Sequence, residues 1–235
     1  MSWFTHTIFS TSVGRKVIMA LTGLFLCSFL VVHLMGNFQL LHDDHGQAFN
    51  LYTKFMTSNP LIKTISYVNF TFIFAHIVWG AYITFKNKSA RPTGYAYNDP
   101  GKNSSFSSRW MGVLGTMILI FLIIHLKDFK MAYLGLTEEL PMVTYTLESG
   151  EKVTVKDMFY EVNEEFHEPV VVGIYVLSMI ALGFHLYHGF QSAFQTLGLR
   201  HPKYTPAIKA AGFVFWGLIP LGFAIIPLIF FFCRN

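Results

Sequence analysis

Five long apolar runs dominate this 235-residue chain, at roughly residues 14–41, 64–86, 107–133, 169–197 and 206–232. A bilayer core of about 30 Å needs about 20 helical residues to cross it. Each run meets that length, and each is nearly free of charge. Composition agrees. Hydrophobic residues make up 53% and charged residues 13%, against about 25% charged in an ordinary soluble domain. A globule of this size would lack the polar material to cover itself. The runs therefore predict an integral membrane protein of five transmembrane helices, with the first, third and fifth running one way and the second and fourth the other.

The charges orient it. Ten of the 17 cations (Arg15, Lys16, Lys86, Lys88, Arg91, Lys102, Arg109, Arg200, Lys203 and Lys209) fall on one side, beside helix ends. Twelve of the 13 acids, all but Asp99, fall on the other. An excess of Lys and Arg marks the cytoplasmic face, so the N-terminus is expected inside and Cys233-Arg234-Asn235 outside. The net charge of +4 then reads as an orientation signal rather than a nucleic-acid footprint. Cys27 and Cys233 lack metal or disulfide spacing. The first run is too long for the apolar core of a signal peptide and no small-residue cleavage site follows it. Of Trp3, Trp79, Trp110 and Trp216, most are expected near helix ends, as interfacial anchors are.

Two loops stand apart. Residues 87–108, rich in Gly, Pro, Asn and Ser, read as irregular, with cations suited to an acidic partner. Residues 137–168 hold nine acids. Within them, residues 143–147 and 152–155 alternate around Glu148-Ser149-Gly150-Glu151, a hairpin pattern. A small acidic outer cap is expected there.

The histidines carry the chemistry. Five of the ten, His33, His76, His125, His185 and His188, lie inside apolar runs, on four of the five spans. An ionisable residue at that depth is costly and marks function by default. His33 lies 17 residues beyond Lys16 and His125 lies 16 beyond Arg109, about 26 and 24 Å from the basic edge at helical rise. His76 lies ten residues before Lys86, and His185 and His188 lie 13 and ten before Gly198, giving about 15, 20 and 15 Å. Two pairs at two heights on four helices suit two stacked haems, each held between neutral imidazoles in a bundle core. On the fourth helix, depth matching slightly prefers His188 over His185. A lone membrane His is often an interhelical hydrogen-bond partner, and proton relay or metal transport also uses His. A transporter would more often place acids beside them, and the spans hold none apart from Asp128. The absence of a CxxCH motif points to haem b rather than c. Glycines such as Gly23, Gly36, Gly112, Gly115, Gly183 and Gly189 suit close approach of a helix or a macrocycle equally.

Thr22-Gly23-Leu24-Phe25-Leu26 with His33-Leu34, Ala48-Phe49-Asn50 with Phe55-Met56, Ser58 and Pro60, His76 with Trp79-Gly80-Ala81-Tyr82-Ile83, Ile120-Phe121 with His125, and Phe184-His185 with His188-Gly189-Phe190 follow one another along most of the chain. In that order and spacing they resemble the di-haem cytochrome b membrane anchor of succinate dehydrogenases and fumarate reductases, the succinate:quinone oxidoreductases.

The resemblance implies an all-α membrane domain over residues 1–235, four of its five helices holding two haems; the small acidic cap at about 137–168, read from the residues, is larger than is usual in that family. It implies His33 and His125 as axial ligands of a distal haem, and His76 and His185 as ligands of a proximal one. His188 remains the alternative fourth-helix ligand or a partner nearby. It implies a non-catalytic subunit of an enzyme of the respiratory chain, in a bacterial cytoplasmic membrane. That subunit would be docked on its cytoplasmic side by a flavoprotein and an iron–sulfur subunit and exchange electrons with a quinone, usually menaquinone. A higher oligomer of the whole complex is compatible with this. Asn37, Gln39, His42 and Asn50 are quinone candidates near the distal haem. A Glu that some members carry two residues before the fourth-helix ligand, linked to proton movement, is Gly183 here. Two rivals stand: a di-haem b subunit of another membrane oxidoreductase, such as a hydrogenase or formate dehydrogenase, and a haem-free transporter that uses His.

Overall fold

The computed structural model describes residues 11–90, 102 and 104–234. Trp3, His6, Arg91, Asp99 and the irregular reading of residues 91–101 lie outside them. Five helices are long and apolar enough to cross a membrane: α1 (Ser12–Leu41), α3 (Pro60–Ser89), α4 (Met111–Leu134), α6 (Pro169–Thr196) and α7 (Thr205–Cys233). Two shorter helices, α2 (Gln47–Ser58) and α5 (Met158–His167), and an antiparallel hairpin, β1 (Met142–Thr146) with β2 (Lys152–Lys156), complete the elements used below.

Local chemistry sets the ends. Asn59 Oδ1 accepts from the backbone N–H groups of Leu61 and Ile62 at the start of α3, with Pro60 at the first position. There a capping carbonyl satisfies orphan donors and proline lacks the N–H that would be wasted. Asp157 caps α5 through Tyr160 N. Past the ends of α4 and α6, Gly135 and Gly198 take left-handed φ of 72° and 76°. The N–H of the next residue then returns to Met131 O and Phe194 O, closing the final carbonyls as a glycine terminus does. Helix α1 tightens to a 3-10 turn at Phe38–Leu41, and α4 and α7 each carry a π turn, at Leu126–Met131 and Val214–Leu218.

Contacts divide the chain into two units, each taking a segment of every span. The first comprises Met1–Phe29, Val68–Leu119 and Ile180–Pro220. Its buried apolar residues include Ala20, Leu114, Ala181, Leu186, Phe190 and Ile219. Arg15 is buried here, donating to Tyr82 Oη at 2.9 Å with its guanidinium 5.3 Å from that ring. It is therefore not a free docking cation, whereas Lys16, Lys86, Lys88, Arg200, Lys203 and Lys209 are exposed. Trp79 and Trp216 lie within α3 and α7 rather than near their ends. Among the described tryptophans only Trp110 sits at a helix junction, because α3 continues to Ser89 and α7 passes unbroken through its π turn.

The second unit comprises Leu30–Tyr67, Ile120–Met179 and Leu221–Asn235. Here Ala132, Leu140 and Met158 pack with Phe49, Phe129 and Tyr133. The expected hairpin forms, with Val143 opposite Val155 and Tyr145 opposite Val153. Helix α2, read as loop in the sequence, packs on β2 and on α5, likewise read as loop. Asn50 is the fastener. It is 1% exposed, donates to Tyr145 Oη at 2.9 Å and Asp157 Oδ1 at 2.7 Å, and accepts from Phe159 N at 2.9 Å.

Candidate functional site: two imidazole pairs

Each unit contains one pair of membrane histidines from two different spans. In the second unit, His33 on α1 and His125 on α4 have ring centroids 5.8 Å apart. In the first, His76 on α3 and His185 on α6 are 6.3 Å apart. Two imidazoles on opposite faces of one iron, each with a bond of about 2 Å and half a ring behind it, have centroids about 6 Å apart. Edge-to-face ring contact spans the same range. The added observations are the surroundings.

Around the first pair the walls are aromatic. Phe121 stacks on His125 at 5.6 Å, Phe129 meets it edge-on at 5.3 Å, and Phe223 lies 5.5 Å from His33. Tyr175 Oη is 3.2 Å from His125 Nδ1. The π turn follows His125 directly and buries Asp128, which pairs with Lys127 at 2.9 Å. Asn37 Nδ2 donates to His33 O at 2.7 Å and lies 3.5 Å from His33 Nδ1.

Around the second pair the walls are small. A Cβ on Gly23 would stand 3.3 Å from His76 Cε1, and one on Gly115 would stand 3.7 Å from His185 Cε1. Thr22 Oγ1 is 3.1 Å from His76 Nδ1. The His185 Nδ1 is buried without a hydrogen-bond partner among the described residues. A buried polar nitrogen left alone is costly and calls for an explanation at the site. The paired imidazoles and the orphaned nitrogen fit a planar macrocycle carrying iron, and Gly23 gives the His76 ring its clearance. Among the described residues no three His, Cys, Asp or Glu side chains converge as a metal-ion site.

Depth matching preferred His188 as partner of His76, but the ring that meets His76 belongs to His185. The reason lies in the helix ends. Helix α3 runs to Ser89, 13 residues past His76, and α6 stops at Thr196, 11 past His185 and eight past His188. Those counts put His76 and His185 at about 20 and 16 Å from their ends, and His188 at about 12 Å. His188 is half-buried, one turn along α6.

The quinone candidates separate. Asn37 and Asn50 are engaged as described above. Gln39 is half-buried in the 3-10 turn and His42 is exposed beyond it. Among the described residues neither side chain makes a hydrogen bond, although Arg234 donates to the backbone oxygens of Leu40 and His42. At Gly183, a Cβ would stand 3.0 Å from the backbone oxygen of Trp216, so a Glu there would press on main chain. Sequence reasoning passed over Thr22 and Tyr175 as partners of histidines. Their signal was a hydroxyl inside an apolar run, where a polar group needs a partner.

No family model, curated protein or solved structure matches the chain.

Proposed function

We propose that this chain is a membrane anchor and electron-transfer subunit that holds two b haems and carries electrons between cytoplasmic flavoprotein and iron–sulfur subunits and a quinone, as in succinate oxidation or fumarate reduction. The observation that carries the reading is the repeated pair: two imidazoles from two spans, about 6 Å apart, once in each unit. His33 and His125 would hold one haem, and His76 and His185 the other. Bound haem b supplies a one-electron iron couple whose potential the protein tunes through ligation, burial and hydrogen bonds. Phe121, Phe129 and Phe223 fix the planes of the first pair and exclude water from it. Gly23 leaves room beside the His76 ring of the second. The exposed cations of the first unit suit an acidic docking surface on a partner subunit. Gln39 and His42 are the quinone candidates with side chains open to a ligand. The resemblance in the sequence supports menaquinone and a bacterial cytoplasmic membrane.

The test is a reduced-minus-oxidised spectrum with a haem count on purified protein, for wild type and each His→Ala variant. The expected result is two b haems per chain. One is lost or made high-spin on changing His33 or His125, and the other on changing His76 or His185, with His188→Ala retaining both. A colourless wild type, under haem-replete expression with partner subunits present, would remove the reading and favour a His-using transporter.

A further inference from the structure

The hydrogen bonds at Thr22 bear on which nitrogen of His76 carries a proton. Thr22 is buried at 6% exposure on α1. Its hydroxyl lies 2.8 Å from Ile18 O and 3.3 Å from Met19 O, both one turn back on the same helix. Backbone carbonyls only accept, and a hydroxyl has one hydrogen. Of the three contacts the one to Ile18 O is shortest, which places that hydrogen on the helix backbone. The same Oγ1 lies 3.1 Å from His76 Nδ1. With its hydrogen spent, Oγ1 can only accept there, so Nδ1 must be the protonated nitrogen. The neutral ring then has its lone pair on Nε2, the nitrogen farther from the backbone.

We infer that Thr22 is a positioning residue that fixes the His76 tautomer and ring plane, so that Nε2 is the nitrogen presented to the iron. The inference rests on the haem-anchor reading and deepens it at one site. Gly23, the next residue, shares in the arrangement: a Cβ there would crowd His76 Cε1 at 3.3 Å. Thr22-Gly23 thus combines an acceptor for the ring's back edge with clearance along its side. In the second unit Tyr175 Oη also lies against a ring nitrogen, 3.2 Å from His125 Nδ1, with the direction of that bond set by the His125 tautomer. Ligating histidines are commonly held by such a bond from the other ring nitrogen, which orients the ring and raises its basicity. His185 has no counterpart, because its Nδ1 finds no partner among the described residues. Within the His76–His185 pair the hydroxyl therefore acts on one ligand only.

Thr22→Val keeps the shape and deletes the acceptor, while Thr22→Ser restores the acceptor without the methyl. Each full-length variant is purified from membranes, the haems are counted, low-spin signals are recorded and both midpoint potentials are titrated. Expected in the valine variant is an affinity loss of about 10-fold or more for the haem of the His76–His185 pair, or a raised potential where that haem is retained. The other haem should be unchanged and serves as a fold control. The serine variant should restore wild-type values. Loss of both haems, or of neither with unchanged potentials, overturns the inference while leaving the haem-anchor reading intact. Nitrogen-15 NMR of histidine-labelled haem-free chain gives a second readout. An Nδ1–H tautomer at His76 in wild type that is lost in the valine variant supports the assignment, and an Nε2–H tautomer in wild type overturns it. A wild type that binds no haem instead removes the parent reading.

Discussion

His167 Nε2 lies 2.6 Å from the backbone oxygen of Arg234, while Nδ1 of the same ring lies 2.6 Å from Asn163 O. Both acceptors are carbonyls, so only the doubly protonated imidazolium donates to both. The bonds to Asn163 and then to Arg234, with the nearby Glu164 carboxylate, hold the His167 pKa above its ordinary value of 6.5. A group whose folded pKa is raised contributes stability that is fully present below its unfolded value and lost as pH rises through the folded one. His167→Gln should therefore lower the thermal midpoint at pH 5.5, with the difference from wild type shrinking by pH 8.5. A deficit equal at both pH values would show that the bonds do not depend on charge.

Glu161 should show the converse response to neutralisation. It is 3% exposed. Burial, then a hydrogen bond to Glu138 and the charges of Glu138, Glu165 and Asp128, push its carboxyl up to about 7 from 4.5. The unfolded chain ionises first, so stability is greatest below the unfolded value and declines as pH rises toward 7. Glu161→Gln removes the buried charge. We expect it to raise the thermal midpoint at pH 8 and leave it nearly unchanged at pH 4.5. A stabilisation present equally at the lower pH would contradict the assignment.

Asn50→Ala would strand Tyr145 Oη and Phe159 N and leave Asp157 Oδ1 with Tyr160 N as its one remaining donor. Leaving buried polar groups unpaired costs about 1–3 kcal/mol, more where one is charged. The expected outcome is a destabilised cap, read as faster limited proteolysis within residues 137–168. Cleavage at the wild-type rate would show that the hairpin does not need its fastener.

Gly46→Ala meets two obstacles. The residue has φ of +82°, and a Cβ there would collide with the Phe159 side chain. The left-handed backbone costs a non-glycine residue about 1–2 kcal/mol, and overpacking typically adds about 1–3 kcal/mol. Combining it with Phe159→Ala should relieve the clash but not the backbone cost, so a double-mutant cycle in thermal stability should show favourable coupling. Strict additivity would mean that the aromatic ring does not press on position 46.

The parts of this molecule legible in its sequence are those that depend on short range. The five spans follow from apolar length, and the hairpin from alternation around Gly150. The four imidazoles that pair in the structure are marked by the cost of polarity at depth. What escaped was set by partners far along the chain. Asn50 looks like one more loop amide until Tyr145, 95 residues away, and Phe159, 109 away, close on it. Helices α2 and α5 are short and amphipathic and pack on each other, α2 also on the hairpin and α5 on the π turn of α4. The choice between His185 and His188 depended on where α6 ends, and a two-residue change in that end moves a height estimate by about 3 Å. The π turns after His125 and before Ile219 leave no mark in composition.

The order of the ring-bearing spans carries a consequence for biogenesis. His33 finds its mate once α4 has been made, while His76 must wait for α6, so the two pairs become complete at residues 125 and 185. At about 5–20 residues per second, synthesis of the intervening stretch takes about 3–12 seconds. During that interval a nascent chain carries one finished pair, and His76 stands without the ring that will face it.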